Sequence, residues 1–192
     1  MGNFRSVANM LNYSNIDCEI KSNPPAASDI THLIIPGIGA FDSGIRLLEQ
    51  SGWMETIKSL SENVNLLGIC LGMHLLTKGS EEGKLPGIGL IDGYCRKFNS
   101  DKSKVPHVGW NNAMVVKENK LLLKNTNDQE FYFSHSYFVQ VNNNDLIMSE
   151  TFYGFNFVSS INKKNIYGLQ FNPEKSHKSG IDLLSNFAKL SC

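Results

Sequence analysis

The stretch Leu67-Gly68-Ile69-Cys70-Leu71-Gly72 is the most informative part of this sequence, because an apolar run leads through a single cysteine into a segment with helical spacing. Glycines stand two residues before and two residues after Cys70. The pattern is that of a nucleophile elbow, written with cysteine in place of serine. The residue at such a sharp turn has a strained backbone, and its flanking positions need glycine because side chains there would collide with neighbouring elements.

Cys70 is therefore a candidate nucleophile. The turn would place its thiol at the N-terminus of a helix, where the helix dipole favours the thiolate. The backbone amide of Leu71 would then point to the place where an oxyanion forms during acyl transfer. The alternative is that Cys70 is a small buried apolar residue, as most lone cysteines are. The paired glycines favour the nucleophile.

The segments around the elbow predict an α/β fold. Apolar runs at 32–35 and 65–69 have the character of buried strands, and helical spacing follows them at about 44–60 and after Cys70. Alternating strands and helices indicate a mostly parallel sheet with helices on both faces. Before this core we expect a helix over 3–11 and a short strand over 18–21.

The second half of the chain has a different pattern. Short β segments with little helix between them lie at 94–98, 113–117, 130–141 and 155–169. We expect them to form antiparallel additions to the parallel sheet. An amphipathic helix over 181–190 closes the chain.

Composition limits the possible classes of protein. With 192 residues and no linker-like segment, the chain predicts one domain over 1–192. Acidic and basic residues number 18 each, so net charge does not favour binding to nucleic acid or to a membrane. No apolar run approaches the roughly 20 residues that cross a bilayer. The four cysteines lack metal-ligand spacing and no signal peptide is evident, so we expect a soluble, cytoplasmic protein without a bound metal.

Several motifs together resemble one family. The segment GICLGMHLL at 68–76 resembles the nucleophile segment of the class I glutamine amidotransferases. Three further stretches resemble, in order, the oxyanion loop, the segment facing a synthase partner and the glutamine-binding stretch of that family: Pro36-Gly37-Ile38-Gly39, Pro106-His107-Val108-Gly109-Trp110-Asn111 and His135-Ser136-Tyr137. The combination is most similar to the glutaminase subunit of imidazole glycerol phosphate synthase.

The resemblance implies a flavodoxin-like amidotransferase fold and hydrolysis of glutamine. Cys70 would attack the side-chain amide, ammonia would leave, and water would release glutamate from a thioester. The ammonia would pass to a synthase subunit of (β/α)₈ barrel fold, in a heterodimer that makes imidazole glycerol phosphate and AICAR for histidine biosynthesis. No cofactor is implied.

The resemblance also implies roles for individual residues. Substrate contacts would come from Gly37, Gly39, Leu71, His74, His135, Ser136 and Tyr137, and partner contacts from Trp110 and Asn111. At the position of His74 the family usually carries a glutamine that touches the substrate. Simpler interpretations remain open: a plain turn for 36–39, cross-strand packing for 135–137, and a capped core position for Trp110.

One departure from the family concerns the catalytic base, which is a histidine oriented by a glutamate two residues later. Here the segment is Gln170-Phe171-Asn172-Pro173-Glu174, so Glu174 matches and Asn172 stands in place of the histidine. An asparagine amide can hold a hydrogen bond but cannot take a proton near neutral pH. His74 or His177 could act as a substitute, although a structural histidine is the more common explanation for either.

Two further departures bear on completeness and on pathway. The family normally has a strand before the segment matched by residues 1–3, in the middle of the sheet, so we expect an N-terminally incomplete sequence that lacks this strand. The segment 175–180 is similar to relatives that serve amidation of a surface sugar, which leaves that pathway open beside histidine biosynthesis. Two more functions stay open: a non-catalytic partner-binding subunit, which Asn172 favours, and a stand-alone cysteine hydrolase.

Overall fold

The computed structural model describes residues 3–25, 30–101, 103–122 and 129–191. The helices are α1 (Phe4–Tyr13), α2 (Phe41–Gln50), α3 (Trp53–Leu60), α4 (Leu71–Leu75) and α5 (His177–Ala188). The strands are β1 (His32–Gly37), β2 (Asn65–Cys70), β3 (Gly93–Lys97), β4 (His107–Asn112), β5 (Met114–Val115), β6 (Glu130–His135), β7 (Tyr137–Val141), β8 (Ile147–Phe152), β9 (Asn156–Lys163) and β10 (Ile166–Leu169).

The main sheet contains eight strands within the described residues. Its path runs β1-β2-β10-β9-β7-β3, with β8 paired to β9 and to β5. The pairs β1–β2 and β2–β10 are parallel, and the others are antiparallel. Antiparallel pairing therefore makes up more of the sheet than the sequence pattern predicts. One reason is a hairpin: a two-residue turn at Lys164 and Asn165, with Lys164 at φ 55°, joins β9 directly to β10.

Helices cover both faces of the sheet, which confirms the predicted α/β class. Along β2 successive side chains point to opposite faces, so Leu66 packs on one side and Leu67 and Ile69 on the other. The first side holds α2 and α3, whereas the second holds α1 and α5. The strand that enters the elbow is thus buried over its whole length.

Three predicted segments are divided in the structure. The helix expected over 44–60 breaks between α2 and α3, where Gly52 adopts the left-handed φ of 76°. The segment 130–141 divides at Ser136: β6 pairs only with β4, in a separate two-stranded sheet, while β7 joins the main sheet beside β3. The segment 155–169 is the β9–β10 hairpin.

The predicted strand over 18–21 is wrong, because these residues are exposed and form no strand. Ile20, the one large aliphatic side chain there, is not covered by any element. The segment 113–117 contributes only the two residues of β5. At the other end of the described sheet, β1 pairs with β2 alone.

In the described part of the chain, no helix is both long and apolar enough to cross a membrane. The same residues contain no group of three or more histidine, cysteine, aspartate or glutamate side chains arranged to hold a metal ion.

Candidate active site

The backbone of Cys70 has the strained geometry of a nucleophile elbow. This residue ends β2 and stands immediately before α4, with φ 53° and ψ −110°. A non-glycine residue in this region costs on the order of 1–3 kcal/mol and persists only where the surrounding structure fixes it. The predicted sharp, strained turn at Cys70 is present, and the role of its thiol as nucleophile stays a prediction.

The two flanking glycines are required by close packing. A Cβ on Gly72 would lie 1.8 Å from the carbonyl oxygen of Ile35 in β1. A Cβ on Gly68 would lie 2.7 Å from the backbone of Gly72 itself. The first turn of α4 therefore rests directly on the two parallel strands, and this contact forces the chain to bend sharply at Cys70.

The segment predicted as the oxyanion loop lies beside the elbow. Gly37 is the register partner of Cys70 in the β1–β2 pair, and a Cβ on Gly37 would come within 2.9 Å of the Gly72 amide nitrogen. Gly39 adopts φ 104°, which an L side chain rarely adopts. Its left-handed conformation turns the chain from β1 into α2, so the loop follows the strand at the same edge of the sheet as Leu71.

The thiol of Cys70 is almost enclosed, with 8% of the residue exposed. Its Sγ lies 4.0 Å from the carbonyl oxygen of Ser134, and Gln170 Nε2 donates to it over 3.9 Å. Burial raises the pKa of this thiol to about 11, against the lowering effect of the Leu71 amide and with a further rise from the charge of Glu174. The thiol is therefore protonated at neutral pH and needs a base before it can attack.

Asn172 occupies the expected position of that base and is 3% exposed. Its Nδ2 donates to Glu174 Oε1 over 3.3 Å, and its backbone amide donates to the Tyr132 carbonyl over 2.8 Å. Asn172 Oδ1 and Glu174 Oε2 are buried and have no hydrogen-bond partner among the described residues. Burial raises the pKa of the Glu174 carboxyl, while the hydrogen bond from Asn172 lowers it. Asn172 thus engages the Glu174 carboxylate through its amide nitrogen, but supplies no site for a proton.

Strand β6 places Asn172 next to Cys70. The Tyr132 carbonyl accepts from Asn172 and the Ser134 carbonyl lies against Cys70. Carbonyls two residues apart on a strand share one edge and are separated by roughly 7 Å. Cys70 and Asn172 therefore lie against neighbouring carbonyls along the same edge of β6.

Among the described residues, Gln170 connects His74 to Cys70. Its Nε2 lies 2.9 Å from Gln170 Oε1, so the imidazole donates to the amide oxygen and turns the amide nitrogen toward the sulfur. Burial lowers the pKa of His74, and the hydrogen bond with Gln170 offsets part of this lowering. Sequence reasoning assigned Gln170 no role, although a residue two positions before Asn172 in an extended segment shares its face.

The stretch 135–137 forms the break between the two sheets. His135 is buried, with Nδ1 2.8 Å from the Tyr137 carbonyl oxygen and Nε2 3.0 Å from His107 Nδ1, so its ring is occupied within the protein. The Ser136 carbonyl accepts from the Phe98 amide over 3.1 Å. Tyr137 is half-buried, and its pKa is raised first by burial and then by Glu82. The same Glu82 also raises the pKa of the Cys70 thiol, so Tyr137 and Cys70 lie near a common carboxylate.

Trp110 lies on an exposed surface next to the site. It is 45% exposed and stacks on His177, with ring centroids 5.1 Å apart and an interplanar angle of 3°. Tyr132 contacts the Trp110 ring edge-on, and Lys175 Nζ lies 5.4 Å from the Tyr132 ring centroid. We call these four residues the Trp110 patch. The structure places His177 in this patch and leaves Asn111 half-buried behind it.

A comparison with known sequences identifies the class of protein. A profile described as glutamine amidotransferase class-I matches residues 2–190. The chain belongs to the class I glutamine amidotransferase family. This is a family of enzymes, which agrees with the cysteine at the strained turn.

Individual relatives carry names that are more specific than the family description. The chain is similar to the imidazole glycerol phosphate synthase subunit HisH 2 of Methanococcus maripaludis, at 45% identity over 98% of this chain and 95% of that protein. It is 39% identical to the imidazole glycerol phosphate synthase subunit HisH of Leptospira interrogans, over 99% of this chain and 96% of that protein. A subunit HisH 2 of Pseudomonas aeruginosa is 36% identical over 99% and 96% of the two chains.

Solved structures share the fold. A crystal structure of a glutamine amidotransferase superposes with a TM-score of 0.72 at 15% identity, covering 98% of this chain and 95% of that one. The glutaminase domain of Trypanosoma brucei CTPS with bound acivicin superposes with a TM-score of 0.63 at 14% identity, covering 99% and 88%. At these identities the likeness concerns the fold alone.

Proposed function

We propose that this chain is the glutaminase subunit of an imidazole glycerol phosphate synthase, and that it hydrolyses glutamine and delivers ammonia to a (β/α)₈ barrel partner. The observation that carries the proposal is the strained Cys70 elbow beside the left-handed Gly39 loop. The relatives at 45% and 39% identity, which bear the name of that synthase subunit, support the choice of reaction.

The reaction proceeds through a thioester. Cys70 Sγ bonds to the side-chain amide carbon of glutamine, and the amide of Leu71 together with the 36–39 loop stabilises the resulting oxyanion. The C–N bond then breaks, and the thiol proton leaves with the nitrogen as ammonia. Water cleaves the thioester, which releases glutamate and restores the thiol.

The missing base limits this sequence of steps. With a thiol pKa of about 11, only a small fraction of Cys70 is ionised near pH 7. The donors that remain to favour the thiolate are the Leu71 amide and Gln170 Nε2, the latter oriented by His74. They stabilise the anion but take no proton, so we expect slow turnover.

The Trp110 patch is the proposed contact with the synthase partner. Tryptophan and tyrosine, which this patch presents together, are among the side chains that supply much of the binding energy in protein interfaces. Tyr132 of the patch accepts the backbone hydrogen bond of Asn172, so the partner would dock close to the nucleophile. Ammonia released there would have a short path to the barrel.

Trapping the thioester tests the function. The chain in complex with its barrel partner is incubated with ¹³C-glutamine, quenched in acid and examined by mass spectrometry. We expect a glutamyl adduct on Cys70 and none in Cys70→Ala. An unmodified Cys70 together with undetectable glutamate release would contradict the proposal.

A second candidate is a non-catalytic subunit that only binds the synthase, and the buried Asn172 at the base position favours it. In that case the synthase would use free ammonium, and no adduct would form on Cys70. The amidation of a surface sugar would use the same chemistry with a different barrel, so it is distinguished by which barrel binds the chain and what that complex produces.

A further inference from the structure

We infer that His107 and Asn111 are positioning residues of the glutamine site, which hold His135 in a single tautomer and thereby fix the turn at Ser136. The inference rests on the proposed function, because it takes up the glutamine-binding role that the family resemblance implies for residues 135–137.

The hydrogen bonds allow only one arrangement of protons. The Tyr137 carbonyl can only accept, so His135 Nδ1 carries the proton that spans their 2.8 Å contact. His135 Nε2 is then unprotonated and accepts a hydrogen bond from His107 Nδ1 over 3.0 Å. His107 Nε2 is therefore also unprotonated, and Asn111 Nδ2 donates a hydrogen bond to it over 3.3 Å. We call this series of hydrogen bonds, from Asn111 through His107 and His135 to the Tyr137 carbonyl, the relay. Every donor in the relay meets an acceptor when both imidazoles are neutral.

Packing holds the middle of the relay rigidly. His107 is 3% exposed and lies between two rings. Phe133 stacks on one side at a centroid distance of 4.7 Å, and Tyr153 at 4.0 Å, with interplanar angles of 26° and 27°. The Tyr153 hydroxyl donates to the Lys104 carbonyl over 2.7 Å, which anchors that ring as well. The His107 ring therefore cannot turn to exchange its nitrogens without disturbing this packing.

The relay spans the junction at which the chain leaves one sheet and enters the other. His135 ends β6, whose Ser134 carbonyl lies against Cys70. Tyr137 begins β7 in the main sheet. The hydrogen bond from His135 Nδ1 to the Tyr137 carbonyl therefore connects β6, which lines the site, to the main sheet. If the proton moved to Nε2, this tie would be lost and Ser136 would gain freedom.

The outer end of the relay is fixed beside the proposed partner surface. Asn111 Nδ2 also lies 3.0 Å from the Phe152 carbonyl, and Asn111 Oδ1 accepts from the Asn112 amide over 2.8 Å. These contacts determine which way the amide faces, so the amide nitrogen points to His107. Asn111 follows Trp110 directly in β4, which brings the relay to the edge of the Trp110 patch.

Two variants separate positioning from packing. His107→Phe keeps a ring between Phe133 and Tyr153 but removes the donor to His135. His107→Asn keeps a donor at the Nδ1 position and loses the ring. His32→Phe, in β1 outside the site, is the matched control for replacing a histidine by phenylalanine.

Two measurements are made on each protein. Side-chain ¹⁵N NMR of the free chain reports the tautomer of His135. The dissociation constant of glutamine is obtained from the protection of Cys70 against iodoacetamide, read by mass spectrometry on the chain bound to its barrel partner. Thermal melts confirm that each protein is folded.

We expect the His135 Nδ1–H tautomer in the natural chain and in His107→Asn. In His107→Phe we expect a measurable share of the Nε2–H tautomer, because the donor that keeps Nε2 unprotonated is gone and only the Tyr137 carbonyl still favours Nδ1–H. We expect glutamine binding to weaken about tenfold in His107→Phe, the size expected for one or two hydrogen bonds, and by no more than about twofold in His107→Asn. Should His107→Phe fail to fold, Asn111→Leu removes the donor to His107 Nε2 and is expected to shift the tautomer and the affinity in the same direction.

An unchanged tautomer and affinity in His107→Phe would overturn the inference, and so would an equal loss of affinity in both His107 variants. Absence of glutamine protection in the natural complex would contradict the proposed function itself, and this inference with it. The two failures are thus distinguishable.

Discussion

Asn172 Nδ2 donates a hydrogen bond to Glu174 Oε1 over 3.3 Å, so the residues that we propose as the base position and its orienting carboxylate contact each other near the Cys70 elbow. The remaining oxygens of both side chains, Asn172 Oδ1 and Glu174 Oε2, are buried without a partner among the described residues. Asn172 therefore meets the Glu174 carboxylate through its amide nitrogen and offers no group that takes a proton near neutral pH.

The reactivity of Cys70 toward iodoacetamide in the free chain will be low at pH 7 and will rise toward a pKa of about 11, because burial disfavours the thiolate. Cys95 is a matched control, since it is fully buried and its pKa is raised to about 12. Peptide-level mass spectrometry against pH measures both. A midpoint for Cys70 near 7 would show that another group stabilises its thiolate.

Gly72→Ala will destabilise the chain by about 4 kcal/mol or more, because the new Cβ would lie 1.8 Å from the Ile35 carbonyl oxygen. Gly89→Ala is the control: its φ is 81° and a Cβ there meets nothing within 4 Å, so about 1 kcal/mol of backbone strain is expected. Urea denaturation gives both values. Equal losses would mean that α4 does not rest on β1 as described.

Trp110→Ala will weaken binding of the barrel partner by about thirtyfold, the loss typical of an exposed aromatic residue at the centre of an interface. Leu47→Ala, which alters an exposed apolar side chain on α2, will leave binding unchanged. Titration calorimetry with the barrel subunit measures the dissociation constants. If the two variants bind alike, the Trp110 patch is not the docking surface.

Stability will fall as the pH drops below about 6.5, because buried His107 and His135 remain neutral in the folded chain. Burial lowers the pKa of His107 to about 4 and that of His135 well below its ordinary value, whereas the unfolded chain protonates both near 6.5. The unfolded state therefore binds more protons than the folded state between about pH 6.5 and 4. Over this interval each histidine lowers the free energy of unfolding by up to about 1.4 kcal/mol for each unit by which the pH falls.

Urea denaturation between pH 7 and 4 measures this dependence. His107→Asn removes one titrating group and retains the donor to His135, so its stability will fall less steeply with acid. A slope identical to that of the natural chain would show that His107 already carries a proton in the folded state.

The elbow was predictable from the sequence because glycines bracket Cys70 within a few residues of chain. Gly68 reflects a contact inside the elbow, with the backbone of Gly72, whereas Gly72 reflects the close approach of α4 to Ile35 in β1. The two apolar runs that became β1 and β2 were predictable for a similar reason, since burial on both faces leaves an uninterrupted apolar pattern.

Other features depended on tertiary contacts that no local pattern records. The residues of 130–141 are extended throughout, so periodicity could not show that β6 and β7 belong to different sheets. His135, which precedes the bend at Ser136, is hydrogen-bonded to His107, 28 residues away in the chain. Gln170 was overlooked because its partner His74 comes from α4, far away in the sequence.

The decisive measurement is glutamate release from glutamine by the chain bound to its barrel partner, compared with Asn172→His at equal folded concentration. We expect the histidine variant to turn over at least about a hundredfold faster, the contribution typical of a positioned general base, while Cys70→Ala abolishes turnover in both backgrounds. Equal rates for the natural chain and Asn172→His would contradict this account, because they would show that a group other than residue 172 takes the proton of Cys70.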